Sequence, residues 1–487
     1  MPLRSGQFEL IMSTLVTDES AAPENSESRT DAAGLWGHPN GLTTLFFTEL
    51  WERFSYYGMR AILMLYMVAA ASDGGMAMDV KTAATIYGAY TSSVYVTSIP
   101  GGLIADKFLG AKMCILIGGC IIALGHFTLA IHSELAFYGG LLLIIFGTGL
   151  LKPNISTLLG TLYSRDDDRR DAGFSIFYMG INIGAALSPL VCGFLAQSEQ
   201  FKNFIVGYGF KATDSWHFGF AAAGVGMLIG LAHFLFQYKR LGTKGARPIG
   251  KQSAAEVSAV AETAAKEEKL PLTKQEWSRV GAIAILFSFA AFFWAVYEQD
   301  GSSLNLFADR LTNCSIGGWK FPSSWFQTLP AVYCIILAPT FSVLWVKMGS
   351  RQPSSPAKFA IGLALLAAGI GIMVPASLLA AHGKVGPEWL VCSYLLQVLG
   401  EMCLSPVGLS TVTKLAPARF ASSTMGVWML ATACGNFLAG LMAGNFDEKS
   451  TTALISMFGF MGGFLFLAAF VLWILTPLVR RLMSGVK

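Results

Sequence analysis

Long apolar runs without a charged residue restrict the fold of this chain more than any other feature. Nine runs contain no Asp, Glu, Lys or Arg and are about as long as a membrane-crossing helix, which needs roughly 20 apolar residues. They cover 82–105, 113–133, 172–198, 215–238, 280–297, 321–346, 359–381, 420–446 and 450–479. Three further apolar runs carry charges inside them and cover 41–71, 135–164 and 389–413. Charged residues make up only 13% of the chain, against about 25% in soluble proteins. We therefore predict an all-α membrane protein with twelve transmembrane helices.

Lysine and arginine are unevenly divided between the two sets of alternating loops. Of the 34 such residues, 24 lie in one set of loops and tails, 7 in the other and 3 inside the spans. Because cytoplasmic loops carry the excess of positive charge, both termini are predicted to be cytoplasmic. The expected location is the plasma (inner) membrane, crossed many times. The net charge of +4 gives no indication of nucleic-acid binding.

The longest interior loop divides the predicted spans into six and six. It contains the Ala-rich, charged segment KQSAAEVSAVAETAAKEEKL (251–270), which is predicted to be a cytoplasmic helix. Two six-helix bundles around a central cavity, joined by a cytoplasmic linker, resemble the plan of the major facilitator superfamily. The predicted units are a disordered tail, the first bundle, the linker, the second bundle and a cytoplasmic tail, at 1–40, 41–238, 239–279, 280–479 and 480–487.

Charges inside the spans fall on corresponding helices of the two halves. The first span contains four charged residues: Glu49, Glu52, Arg53 and Arg60. The fourth span contains Lys152, the seventh ends at Glu298, and the tenth contains Glu401. A charge at a helix centre costs about 2.5–3.5 kcal/mol and normally faces a bundle interior or water. The pattern therefore predicts a shared central cavity. Glu49, Arg53, Tyr56 and Arg60 fall within roughly 60° of one helix face. The alternative is a structural ion pair between Glu49 and Arg53.

Five motifs resemble those of the proton-dependent oligopeptide transporter (POT) family, within the major facilitator superfamily. In chain order they are ELWERFSYYG (49–58), GGLIADKFLG (101–110), LKPNIS (151–156), FYMGINIG (177–184) and EMCLSP (401–406). The motifs occur in both halves, so the resemblance covers essentially the whole membrane domain. It implies cotransport of protons with di- and tripeptides, driven by the proton gradient without a cofactor, a metal or catalysis.

The resemblance also implies a role for each site residue. Arg53 and Lys152 would bind the peptide carboxylate, with Tyr57 and Tyr95 nearby. Asn182 and Glu401 would bind the peptide amine. The pockets for side chains would be lined by Tyr178, Trp294, Ser405 and Trp428. Proton coupling would involve Glu49, Glu52, Arg53, Lys152, Glu298 and Glu401, with Glu298 pairing to Lys152 across the bundles. Charge-assisted hydrogen bonds to the two termini suit a ligand class that shares only its termini.

Three departures from the family pattern are visible. Gly88 stands where some members carry a proton-coupling His on the second span. Pro330, in WFQTLPA (325–331), stands where the family often has an Asn that contacts the amine. The 239–279 linker is too polar for the two extra helices that many bacterial members have there. Because Gly88 replaces that His, proton coupling is expected to depend on carboxylates.

Two other function classes were weighed against a peptide symporter. A carrier of nitrate or another small organic anion on the same scaffold would not need Glu401 and Asn182 as an amine site. For a membrane enzyme or an ion channel, the sequence shows no His/Asp/Glu metal cluster and no nucleophile–base pair, and the two-half symmetry favours alternating access. The expected partners are di- and tripeptides, protons and the lipid bilayer.

Overall fold

A computed structural model describes residue 34 and residues 37–164, 167–246, 272–416 and 421–484. The predicted N-terminal tail, apart from its last few residues, and the predicted helix at 251–270 lie outside these residues. Sixteen α-helices are described: α1 (Asn40–Val68), α2 (Val80–Val96), α3 (Ser98–Ile104), α4 (Ala111–Leu129), α5 (Glu134–Thr161), α6 (Arg170–Gln197), α7 (Glu199–Gly207), α8 (Ser215–Phe236), α9 (Lys274–Tyr297), α10 (Ser303–Leu311), α11 (Thr328–Met348), α12 (Ser355–Gly371), α13 (Met373–Ala380), α14 (Glu388–Leu415), α15 (Ala421–Ala443) and α16 (Thr451–Leu482).

Each of the twelve predicted spans corresponds to a helix or to a pair of consecutive helices, which confirms the predicted all-α membrane fold. Ten segments of the described chain are long and apolar enough to cross a membrane by length and composition. The other two spans are α1, which carries four charges, and α2, which has 17 residues. The largest shift in a helix start toward the N-terminus is in α9, which begins six residues before the predicted span at 280.

Proline explains where two predicted spans divide into two helices. Pro100 has no N–H to donate to the carbonyl of Val96, and the chain turns at Thr97 between α2 and α3. Pro375 likewise leaves the carbonyl of Gly371 without its donor, and α12 ends there. Pro153 and Pro406 instead lie inside α5 and α14, which continue past them.

A short β-hairpin lies between α10 and α11. Its strands β1 (Ser315–Ile316) and β2 (Trp319–Lys320) pair antiparallel, with Ile316 opposite Trp319. The two-residue turn consists of Gly317 and Gly318, whose φ angles are 58° and 84°. Both positions need the left-handed region, where glycine has no Cβ to clash.

Helix packing is densest within two groups, which we call the first half (residues 37–246) and the second half (residues 272–484). In the first half α1 packs on α6 and α8, and α4 packs on α5. In the second half α12 packs on α14 and α16, and α9 packs on α15. The halves meet chiefly where α2 contacts α15 and where α6 contacts α11. With twelve crossings, α1 begins and α16 ends on one face, which we call the terminal face; the opposite one is the distal face.

The two halves are joined by hydrogen bonds close to the distal face. Asn305 Nδ2 donates to the carbonyl of Ala61 at 2.8 Å, near the distal end of α1. Trp325 Nε1 donates to the carbonyl of Leu190 at 3.1 Å, in the distal third of α6. The Tyr178 side chain, in the first third of α6, is 42% exposed. The hydrogen bonds between the halves therefore lie toward the distal face, and we call the region between the halves on the terminal side of these contacts the cleft.

Candidate functional site

The charged face of α1 forms a buried ion-pair cluster. Arg53 Nε lies 3.1 Å from Glu49 Oε1, one helical turn away, and also pairs with the carboxylate of Glu52. All three side chains are buried. The Glu49–Arg53 pair predicted from the helical spacing is present.

Each member of this cluster nevertheless keeps an unpaired polar atom. Arg53 Nη2, Glu49 Oε2 and Glu52 Oε1 are buried and have no hydrogen-bond partner among the described residues. Leaving a buried polar group without a partner costs about 1–3 kcal/mol, and more for a charged group. These atoms give the cluster capacity to bind a further polar group.

Lys152 brings a second cation close to the same cluster. Its Nζ lies 3.7 Å from the ring centroid of Tyr95 on α2, a cation–π contact. Within the described chain, Lys152 forms no ion pair, although it is close enough to Arg53 and Glu49 to interact electrostatically. Lys152 and Tyr95 are both only partly buried. Together, Arg53 and Lys152 offer an anion a guanidinium and an ammonium group.

Glu401 on α14 is held by side chains of two neighbouring helices. The hydroxyl of Tyr297 on α9 donates to Glu401 Oε2 at 2.5 Å, and the thiol of Cys334 on α11 lies 3.6 Å from the same oxygen. In the described part of the chain, Oε1 of Glu401 has no hydrogen bond. One oxygen is therefore fixed by the protein and the other is available to a cation.

The residue types alone did not indicate either donor to Glu401. Cys334 lies four residues after Pro330, one helical turn further along α11 and on the same face. The loss of the family's Asn at Pro330 was thus a signal to examine Cys334. Tyr297 directly precedes the predicted Glu298, but no spacing rule links it to Glu401.

The predicted pocket residues fall into two groups. Tyr178 lies close to Glu401 and Cys334 across the cleft, and its carbonyl accepts a 3.0 Å hydrogen bond from Asn182 Nδ2. Trp294 packs edge-to-face on Tyr297, with 5.4 Å between ring centroids. These side chains surround the Glu401 site.

The second group lies deeper in the second half. Trp428 on α15 is buried against Phe359, with 6.3 Å between centroids, and against Gly408 of α14. Ser405 is half-buried, one turn after Glu401 on α14. Ser405 lies one turn after Glu401 on α14, whereas Trp428 contacts α14 at Gly408, two turns after Glu401 on the same helix face.

Glu298 pairs with a cation that differs from the predicted one. Arg60 Nη2 lies 2.5 Å from Glu298 Oε2 and 2.8 Å from Asp300 Oδ1, and Arg60 Nε donates to the Tyr87 hydroxyl at 2.5 Å. No ion pair joins Glu298 to Lys152 among the described residues. Both Glu298 and Arg60 lie close to the distal face, where the halves meet.

The sequence pattern indicated no partner for Arg60 and no role for Asp300. Arg60 shares the helix face of Glu49 and Arg53, which was a usable signal. Tyr56 and Tyr57 lie between the two arginines. The ring centroid of Tyr57 lies 6.0 Å from Arg60 Cζ, and that of Tyr56 lies 5.4 Å from Arg53 Cζ. Aromatic rings thus separate the Arg53 cluster from the Arg60 cluster.

Gly88 contacts the backbone of the other half directly. A Cβ built on Gly88 would lie 2.7 Å from Cα of Gly440, and one built on Gly440 would lie 2.5 Å from the carbonyl oxygen of Ala84. No side chain fits between α2 and α15 at this point. A histidine at position 88 would have no space in this structure.

Comparison with known proteins agrees with this architecture. The model of the POT family matches residues 112–276 and 251–459. The uncharacterised transporter YclF of Bacillus subtilis is 42% identical, over 93% of this chain and 96% of its own. The peptide transporter YePEPT of Yersinia enterocolitica subsp. palearctica is 36% identical, over 93% and 96%. A di-/tripeptide transporter of Lactococcus lactis subsp. cremoris is 33% identical, over 93% and 98%.

Solved structures are similar over nearly the whole chain. A mutant of the peptide transporter POT in complex with alafosfalin superimposes with a TM-score of 0.83 at 38% identity, over 95% of this chain and 100% of that one. A POT family transporter in complex with 5-aminolevulinic acid gives 0.80 at 32% identity, over 93% and 99%. The chain therefore belongs to the POT family and is a multi-pass membrane transporter.

Proposed function

We propose that this chain is a proton-coupled symporter that imports di- and tripeptides by alternating access between its two six-helix bundles. The observation that carries the proposal is a pair of polar atoms without a hydrogen-bond partner among the described residues: Arg53 Nη2 on one side and Glu401 Oε1 on the other. A zwitterionic peptide needs a cation for its carboxylate and an anion for its amine. The relatives named as peptide and di-/tripeptide transporters support this substrate class.

In this proposal the peptide carboxylate binds Arg53 and Lys152, with Tyr57 and Tyr95 beside it. The amine binds Glu401 and Asn182. Tyr178, Trp294, Ser405 and Trp428 shape the space for variable side chains. The cluster of Glu49, Glu52 and Arg53, together with Lys152, Glu298 and Glu401, carries the protons. No cofactor takes part, because the proton gradient supplies the driving force.

The protein would lie in the plasma (inner) membrane with both termini in the cytoplasm. The terminal face is then the cytoplasmic one, and the cleft lies on the cytoplasmic side of the contacts between the halves. The units proposed are bundles at 41–238 and 280–479, joined by a cytoplasmic linker. The excess of lysine and arginine in the loops of the terminal face supports this orientation.

The test is uptake of radiolabelled dialanine into proteoliposomes, with and without an inside-negative, inside-alkaline gradient. Wild-type uptake should depend on the gradient. The Glu401→Gln variant should lose gradient-driven uptake, because a neutral amide binds an ammonium group weakly. Glu388→Gln is the matched control, since Glu388 is exposed in the first turn of the same helix. Failure of folded wild-type protein to accumulate dialanine would overturn the substrate class.

A carrier of another small solute on the same scaffold is the competing function. Competition with unlabelled solutes separates the two. Excess dialanine should block uptake, whereas nitrate or a simple carboxylate lacks the amine that Glu401 is proposed to bind. Stronger competition by nitrate than by dialanine would favour the anion carrier.

A further inference from the structure

Two carboxylates share one nitrogen atom of Arg60. Glu298 Oε2 lies 2.5 Å and Asp300 Oδ1 lies 2.8 Å from the same Nη2. The exposed fractions of the three side chains are 7% for Arg60, 6% for Glu298 and 14% for Asp300. Two acidic side chains from one short segment therefore meet a single cation in a nearly water-free site.

The charge balance of this group is unfavourable when both carboxylates are ionised. Arg60 neutralises one negative charge, and its Nε is already engaged by the neutral Tyr87 hydroxyl. The second negative charge stays buried beside the first. Closely spaced carboxylates in proteins titrate as a pair and share one proton, because like charges at this distance do not both persist.

The backbone holds Asp300 in this position. Its carbonyl oxygen accepts hydrogen bonds from Gln327 Nε2 and from the Tyr394 hydroxyl, the latter at 3.5 Å. Gly301 follows directly, and a Cβ at that position would collide with the Tyr87 hydroxyl. The segment therefore cannot relax away from Arg60 without breaking contacts to three other elements.

An unpaired hydroxyl lies beside the group. Tyr90 Oη, one turn from Tyr87 on α2, is buried and has no hydrogen-bond partner among the described residues. Tyr90 is within electrostatic range of Arg60 and of Glu52. This buried hydroxyl, which can donate and accept a hydrogen bond, thus lies within electrostatic range of both the Arg60 group and Glu52.

We propose that Asp300 and Glu298 form a proton-sharing pair on Arg60, with Asp300 as a second proton-coupling carboxylate. When the distal face is open, one proton from the aqueous phase forms an O–H bond with either carboxylate. The other carboxylate keeps the ion pair with Arg60, which closes the distal face without excess negative charge. This inference rests on the proposed function, because it assigns a site for the coupled proton.

The groups that surround Asp300 come from several elements. Apart from Glu298, the titratable and charged side chains near it are Tyr57, Arg60, Tyr87, Tyr297, Tyr394 and Glu401. Arg60 is the cation among them. Removal of Asp300 should therefore act mainly through the Glu298–Arg60 pair.

The experiment measures gradient-driven dialanine uptake at external pH 5 to 8 with the internal pH fixed, for wild type and Asp300→Asn. Asp300→Asn removes the like-charge repulsion that favours binding of a proton by the pair. The midpoint of the uptake profile should move toward acid by about one pH unit. Asp447→Asn, in the exposed loop before α16, is the matched control and should leave the midpoint unchanged.

The outcomes separate this inference from the proposed function. If wild-type uptake is independent of the gradient, the proposed symport is wrong. If wild-type uptake follows the gradient and Asp300→Asn has the same midpoint, the shared proton site is wrong. Gradient-independent exchange of labelled dialanine checks that each variant is folded. Asp300→Ser replaces Asp300→Asn if the amide variant fails that check, and the same shift is expected.

Discussion

The Tyr297 hydroxyl donates a hydrogen bond of 2.5 Å to Oε2 of Glu401, joining α9 to α14 beside the cleft. This bond fixes one carboxylate oxygen and directs the other toward the space between the halves. We expect Tyr297→Phe to weaken binding of the substrate amine. A hydrogen bond to a charged group contributes about 1.5–3 kcal/mol, so KM for dialanine should rise roughly tenfold or more. Tyr333→Phe, which removes a hydroxyl bonded to the carbonyl of Val391, should leave KM unchanged.

Cys334 is predicted to contribute to the same site through its thiol. Cys334→Val removes the polar contact to Glu401 with little change in volume, whereas Cys334→Ser keeps a donor there. We expect a several-fold increase in KM for the valine variant and a much smaller change for serine. Uptake kinetics in proteoliposomes measure both. Equal KM values for the two variants would show that the thiol acts only as a packing group.

Arg53 should not tolerate replacement by lysine. Its Nε serves Glu49 and Glu52 while Nη2 remains available, and a single ammonium group cannot occupy both positions. We expect Arg53→Lys to lower kcat/KM for dialanine at least 100-fold. Arg310→Lys is the control, because Arg310 forms a partly exposed ion pair with Glu448. Retention of activity in Arg53→Lys would remove the guanidinium from substrate binding.

Glu298→Gln should separate exchange from accumulation. The amide leaves Arg60 paired with Asp300 but cannot gain and lose a proton. We expect exchange of labelled dialanine to persist while gradient-driven accumulation falls at least tenfold. Glu448→Gln, which removes the carboxylate of the Arg310 ion pair, should leave both activities intact. Full gradient coupling in Glu298→Gln would exclude this carboxylate from the mechanism.

The contact between Gly88 and Gly440 should be sensitive to a single methyl group. Gly88→Ala places a Cβ against backbone that cannot rotate away, and overpacking of this kind costs about 1–3 kcal/mol. We expect a lower melting temperature in detergent and slower uptake. Gly463→Ala on α16 has open space around the new Cβ and serves as the control. Identical melting curves for the two variants would show that the added Cβ at position 88 costs no stability.

The sequence predicted the twelve spans because bilayer thickness and hydrophobicity act on each helix separately. The sequence pattern did not predict the early start of α9 or the divisions near Pro100 and Pro375, because local backbone geometry decides them. The Glu49–Arg53 pair was predictable from a separation of one turn on one helix. Such contacts depend on spacing alone.

Contacts between helices were harder to predict from the sequence. Both Arg60 and Lys152, in the other half, were candidate cations for Glu298, and only the tertiary arrangement selects Arg60 over Lys152. Cys334 was visible as the residue one turn after Pro330, but its partner Glu401 lies on another helix. Trp428 looked equivalent to Trp294 by composition, yet its helix turns it toward Phe359.

Pro153 and Pro406 lie directly after Lys152 and Ser405, about two thirds of the way along α5 and α14. Each ring removes one backbone hydrogen bond and keeps the fourth preceding carbonyl from its usual donor. These two helices therefore resist bending least at their prolines, beside the cleft. A small change in the bend angle at these prolines is amplified along the rest of each helix, so its terminal end moves farther than the residues beside the proline. The width of the cleft at the terminal face and the geometry of the proposed binding groups then respond to the same two bends.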